Sequence, residues 1–159
     1  FLAYGGLLEE KEVSWLPSYG PEMRGGTANC SVVVSDDPIA SPVLSMADCV
    51  IAMNTPSLDK FEANVLPGGK LFINSPLIDK KATRTDIDVY YVPCNDIADQ
   101  LGNPKVLNMA MLGAYLEATK VVGVESVLQA LLHSLGEKKA HLIPLNRQAI
   151  EMGAESIRK

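Results

Sequence analysis

Side chains able to do chemistry concentrate in one stretch, residues 18–26 (SYGPEMRGG). Three Gly and one Pro in nine residues make this stretch a loop. Tyr19, Glu22 and Arg24 are presented between Gly20, Gly25 and Gly26, and glycines let backbone approach a ligand or another chain closely. Arg24 is the only cation between Lys11 and Lys60, a guanidinium suited to a phosphate or a carboxylate. Two readings stand side by side: a binding or contact loop, and a surface loop whose Arg24 pairs with Glu22.

No other constellation has spacing that supports chemistry. Nothing fits G-x-x-x-x-G-K-[ST], G-x-G-x-x-G or G-x-S-x-G, so phosphate cradles and a hydrolase elbow have no sequence support. His133 and His141 stand apart from any Ser-Asp or Cys partner, and His133 falls late in an apolar helix. Cys30, Cys49 and Cys94 form no C-x-x-C and read as three buried small hydrophobes in a reducing compartment. Asp36, Asp37 and Pro38 read as a turn rather than a metal site. By itself the chain shows no catalytic residue and no metal site.

The elements that must position the loop follow from periodicity. Residues 1–8 read as the tail of an apolar helix, 11–16 as a strand closed by Pro17, and 28–35 as a β-branched strand. Residues 48–53 form a short, continuously apolar strand of the parallel-sheet kind. Asn54 or Thr55 caps a helix with Pro56 in its first turn, Phe61 and Val65 form an i, i+4 pair, and Pro67-Gly68-Gly69 ends it. Residues 70–74 and 88–92 are further strands. The carboxy third is helical over 106–122, 125–135 and 145–157. This rhythm predicts an α/β fold: a three-layer α/β/α arrangement with a mostly parallel or mixed central sheet.

The helix at 106–122 is apolar almost all round, so it must be covered all round. The centre of the domain could cover it. A layered fold places helices outside, so a permanent partner covering Met109, Met111, Leu112 and Tyr115 is the expectation.

Composition bounds the class. The 159 residues carry 14 Lys+Arg against 19 Asp+Glu, a formal charge of −5, and are 47% hydrophobic and 21% charged. One domain over 1–159 is expected, burying roughly 70% of its unfolded surface, which excludes intrinsic disorder. The acidic balance without a basic block argues against nucleic acid and against anionic membranes, and no apolar run reaches the ~20 residues of a membrane span. The chain starts at Phe1 rather than Met, so its amino end reads as truncated.

The string WLPSYGPEMRGGTANC at 15–30, followed by VVVSDDPI, and AMNTPSL at 52–58 resemble the gamma subunits of the 2-oxoacid:ferredoxin oxidoreductases. LIPLNRQAIEMG at 142–153 fits the last helix of that family, so the resemblance runs through nearly the whole chain. It implies a share in converting a 2-oxoacid and coenzyme A to an acyl-coenzyme A and carbon dioxide, with electrons passed to ferredoxin. The loop string is most similar to members acting on 2-oxoglutarate. In the family a strand and a G-x-G-G-Q-G loop lead into the helix whose tail is residues 1–8. Thiamine diphosphate, Mg and iron–sulfur clusters are implied on sister subunits. This chain has no G-D-G motif for thiamine, and three scattered Cys cannot hold a four-Cys cluster. The resemblance places Tyr19, Gly20, Glu22, Arg24, Gly25 and Gly26 at the subunit contact near the active site, in a cytoplasmic complex. The alternative from another class is a stand-alone α/β protein that binds a small molecule or nucleotide in this loop.

Overall fold

Apolar, β-branched and aromatic residues at the centre of the chain build a three-stranded parallel sheet. The computed structural model describes residues 1–18 and 28–158. Three strands, β3 (Ala47–Ala52), β4 (Val65–Asn74) and β5 (Asp88–Val92), pair in the order β3-β4-β5, all parallel. Alternation along β4 sends Leu71 and Ile73 to one face and Phe72 to the other, and all three are fully buried. Leu71 and Ile73 meet Leu58 of α2 (Thr55–Phe61) and Ile78 of the β4–β5 connection. Phe72 meets α3 (Cys94–Gln100) and α4 (Leu107–Thr119). Layers of helix, sheet and helix result, as the sequence predicts.

A second sheet stands apart from the first. β1 (Glu12–Ser18) and β2 (Asn29–Ser35) pair antiparallel from Glu12↔Ser35 to Ser18↔Asn29, with no ladder to the parallel sheet. Pro17 therefore lies inside β1, in register with Cys30, instead of closing it. α1 (Leu2–Leu8) sits on this hairpin and against α5 (Val124–Leu135), which completes the helical layer with α6 (Ile143–Ile157).

α4 is the centre of the molecule. Met109 and Leu116 join Val127, Leu128 and Leu131 of α5 and Ile150 of α6, while Ala110, Met111 and Ala114 lie over Phe72. Its uniformly apolar surface is thus satisfied within the chain. Met109 and Met111 are each 2% exposed, and the exposed outer face expected of this helix is absent. Leu112 and Tyr115 are half-buried against the same clusters, Tyr115 edge-on to Phe72 at 5.8 Å between ring centroids. The helical layer has two tiers, and α4 is the inner one.

Two local expectations are also corrected. α2 does begin as predicted, with the Asn54 side chain accepting from the Ser57 N–H at 2.9 Å and Pro56 in the first turn. It ends at Phe61, however, and Val65 opens β4 instead of pairing with Phe61 across a helical turn. Glu62 explains the early stop. Its carboxylate accepts from the N–H and hydroxyl of Thr83 and from the N–H of Arg84, while the Arg84 guanidinium donates to the Val65 carbonyl. Pro67, Gly68 and Gly69 consequently end no helix. They form a bulge in β4 between the pairs Ala47↔Val65 and Cys49↔Lys70, with Gly68 at φ +77° and its N–H bound to the Asp86 carbonyl.

Candidate functional site

Tyr19, Gly20, Glu22, Arg24, Gly25 and Gly26 lie outside the described residues. What the structure gives is the base that carries them. Seven-residue strands on either side run in register up to Ser18 and Asn29, so both ends of the loop are fixed by a ladder. The hairpin is in turn fixed by α1, where Gly6 lies against Val13 and Val34. The described hairpin is thus a rigid support on both sides of residues 19–27.

The hairpin is unusually apolar toward the outside. Trp15 is 58% exposed, and Leu16 beside it is 39% exposed. Cys30, expected to be buried, is also exposed, because it pairs with Pro17 near the open end of the hairpin. Cys49 is half-buried and Cys94 is buried. Burial pushes the Cys94 thiol up to about 12 and the Cys49 thiol above its ordinary value, so neither is a ready thiolate. The three thiols are free, and no group of three His, Cys, Asp or Glu among the described residues could hold a metal ion.

The histidines are separated. His133 is exposed on α5 with its ring 6.4 Å from that of Tyr4, and His141 is exposed in the 3-10 turn before α6. A cleft of about 440 Å³ between α4 and α6 holds Glu117 and Arg158. There the Arg158 guanidinium donates twice to the Glu117 carboxylate at 2.8 and 2.9 Å, and Lys120 donates at 2.7 Å. These donors bring Glu117 down to about 2, so it is a closed ion pair and not a proton acceptor. No helix among the described residues is long and apolar enough to cross a membrane.

One polar pair escaped the sequence reading. Asn74, at the carboxyl end of β4, is fully buried, and its amide donates to the Asn95 side chain at 2.9 Å. The Asn74 side-chain oxygen Oδ1 is buried and makes no hydrogen bond to any described residue. Open α/β sheets bind ligands at the carboxyl ends of their strands, and this pair occupies that edge. The signal was present: an Asn closing the apolar run KLFIN, and another just after DVYYV. Here the pair, with Asn95 half-buried, joins β4 to the first turn of α3.

Comparison with known proteins places this architecture. Residues 1–156 match the family model described as pyruvate ferredoxin/flavodoxin oxidoreductase. The ketoisovalerate oxidoreductase subunit VorA of Methanothermobacter marburgensis is 34% identical over 160 residues, taking in 99% of this chain and 33% of that one. The 2-oxoglutarate synthase subunit KorC of Methanocaldococcus jannaschii is 32% identical over 145 residues, 89% of this chain and 78% of that one. The chain therefore spans about one third of the length of the ketoisovalerate oxidoreductase subunits it matches. Among solved structures, the gamma subunit of a keto/oxoacid ferredoxin oxidoreductase from Geobacter sulfurreducens superposes with a TM-score of 0.78 at 30% identity, covering 98% of this chain and 86% of that one. With the match running from the first helix into the last, this chain belongs to the pyruvate ferredoxin/flavodoxin oxidoreductase family.

Proposed function

We propose that this chain is the gamma subunit of a multi-subunit 2-oxoacid:ferredoxin oxidoreductase. The observation that carries the reading is the near end-to-end likeness to a free-standing gamma subunit, in both fold and sequence. In such a complex a 2-oxoacid and coenzyme A become an acyl-coenzyme A and carbon dioxide, and the two electrons released go to ferredoxin. Thiamine diphosphate with Mg would supply the carbanion chemistry and iron–sulfur clusters the electron path, all on sister subunits. Three free Cys in three separate environments suit that division, since a four-Cys cluster needs more ligands than this chain owns. The work is cytoplasmic, in keeping with unpaired thiols.

The role of this chain is to hold the 18–26 loop against the thiamine-binding subunits. Arg24 would hold a carboxylate or phosphate there through two parallel hydrogen bonds, which Lys cannot reproduce. 2-Oxoglutarate is the proposed substrate, on the wording of the loop and the likeness to a 2-oxoglutarate synthase subunit; ketoisovalerate is the competitor to assay beside it.

The test is purification of the tagged chain from its native host, followed by turnover assays with a viologen acceptor. The proposal expects co-purified sister chains carrying thiamine diphosphate and iron, activity in the complex, and none in the isolated chain. Arg24→Lys should lower assembly or turnover about tenfold, the equivalent of a lost charge-assisted contact of ~1.5–3 kcal/mol. A monomer that binds a nucleotide and recovers no sister chain would replace this reading with the stand-alone one.

A further inference from the structure

β4 and β5 are neighbours in a parallel sheet, and a parallel pair needs a crossover, which is usually a helix. Here the crossover, residues 75–87, contains neither helix nor strand. It runs from the carboxyl end of β4 back to the amino end of β5, over the sheet face on which α2 packs. A parallel sheet is covered on both faces, so this segment stands where a covering helix is expected. Irregular segments of about this length are uncommon inside a domain and are mostly functional.

Its attachment is concentrated at a few points. Ile78, 3% exposed, sits among Leu58, Leu71 and Ile73, with Ala82 and Ile87 half-buried beside it, and most of the other side chains of the segment are exposed. The middle is held through its backbone instead. Oε1 of Glu62, a residue only 8% exposed, accepts from the Thr83 N–H, the Thr83 hydroxyl and the Arg84 N–H. The Ala82 N–H donates to the Tyr91 hydroxyl at 3.1 Å. Three consecutive backbone donors thus end on two side chains, outside any ladder. Lys80 pairs with Asp59 of α2 at the surface, where an ion pair contributes little. Both ends are fixed: the Leu77 N–H donates to the Asn74 carbonyl at 3.2 Å, and the Gly68 N–H to the Asp86 carbonyl at 2.8 Å.

We infer that residues 78–85 form a strap that opens from the sheet as a unit, hinged at Leu77 and Asp86 and latched by Glu62. Opening lifts Ile78 from its seat and uncovers the apolar surface of Leu58, Leu71 and Ile73, while β4 and the helical layer stay in place. It gives up one buried aliphatic side chain and a small group of hydrogen bonds. Global unfolding gives up all three hydrophobic clusters, so the strap belongs to the low-stability end of the molecule. The strap is independent of the gamma-subunit reading.

Residue-resolved amide hydrogen exchange of the full-length chain tests this. In the wild type, Ala82, Thr83 and Arg84 should exchange together, with protection at least about tenfold lower than that of residues 71–73 in β4. Their exchange should also depend much less on denaturant, because opening the strap exposes little surface. Glu62→Gln should speed Thr83 and Arg84 at least about fivefold, and Ala82 by the same factor although its acceptor is Tyr91. Tyr91→Phe leaves Glu62 intact and should likewise speed Thr83 and Arg84 along with Ala82, which keeps the test open if the Glu62 variant folds poorly. These cross-effects separate a unit from independent pins. Exchange of the three amides only through global unfolding, with the protection and denaturant dependence of residues 71–73, would overturn the strap. Acceleration confined to the amides whose own acceptor was changed would overturn it as well.

Discussion

Gly113 of α4 and Gly153 of α6 each admit the other helix's backbone at a distance that no side chain allows. A Cβ on Gly113 would lie 2.0 Å from the Ile150 carbonyl oxygen, and one on Gly153 would lie 1.8 Å from that of Ala110. The two contacts are reciprocal, and they fix α4 and α6 in the closest helix pairing of the fold. Because α4 also roofs Phe72, this pairing sets the position of the helical layer over the sheet.

Gly113→Ala and Gly153→Ala should therefore be far more damaging than a methyl group suggests. The obstacle is backbone, which cannot move aside like a flexible side-chain end. Overpacking of a core typically costs ~1–3 kcal/mol, and these two substitutions are expected at the top of that range or above it. Chemical denaturation checks this, and a loss under ~1 kcal/mol for both would mean that the helices slide apart easily.

Met111→Lys should abolish folding rather than selectively weaken assembly. Met111 is buried over Phe72, so the substitution places an unpaired ammonium in the core, among the changes that exceed ~4 kcal/mol. The readout is soluble yield and melting of the isolated chain. A normally folded Met111→Lys protein that fails only in assembly would restore the partner-facing role expected for α4.

Much of the fold was legible because local rules and tertiary structure agree. Asn54 caps α2, 88–92 is a strand with its predicted bounds, and the long helices start and stop within a few residues of their apolar periodicity. α3 was missed although Cys94, Ile97, Ala98 and Leu101 carry helical spacing, because the run is short and follows directly on a strand and a Pro. The misreading at Val65 has a different origin. Glu62 is held by Thr83 and Arg84, some twenty residues away, and no local pattern encodes that contact. The same holds for α4. Its sequence states that it is covered on all sides, but only the two-tier helical layer shows by what. The composition of the candidate loop was legible, and the structure adds its hairpin root.

Glu62 supplies a pH test. Burial alone would raise its carboxyl, but hydrogen bonds from Arg84 and Thr83 outweigh burial and hold it below the ordinary value. A depressed carboxyl stabilises the fold above its unfolded value near ~4.3 and loses that contribution as pH falls through the lower folded value. The melting difference between wild type and Glu62→Gln should be constant from about pH 7 to 5 and should shrink below pH ~4. A difference that grows on acidification would reverse the assignment.

Asn95→Ala should cost about 1–3 kcal/mol, because it leaves the fully buried Asn74 amide without its partner. Replacing both residues by apolar ones of similar size should recover part of that loss. Thermal melts of the two variants separate the outcomes, and equal losses in both would show that the pair acts through shape rather than through its hydrogen bond.

The most direct test of the central claim is add-back to the oxidoreductase lacking this chain. Coenzyme A-dependent reduction of a viologen is followed with 2-oxoglutarate and, separately, with ketoisovalerate. The gamma-subunit account predicts turnover near background without this chain, recovery on adding it at equal stoichiometry, and no activity from it alone. Full turnover by the sister chains in its absence, or turnover by the isolated chain, would contradict the account.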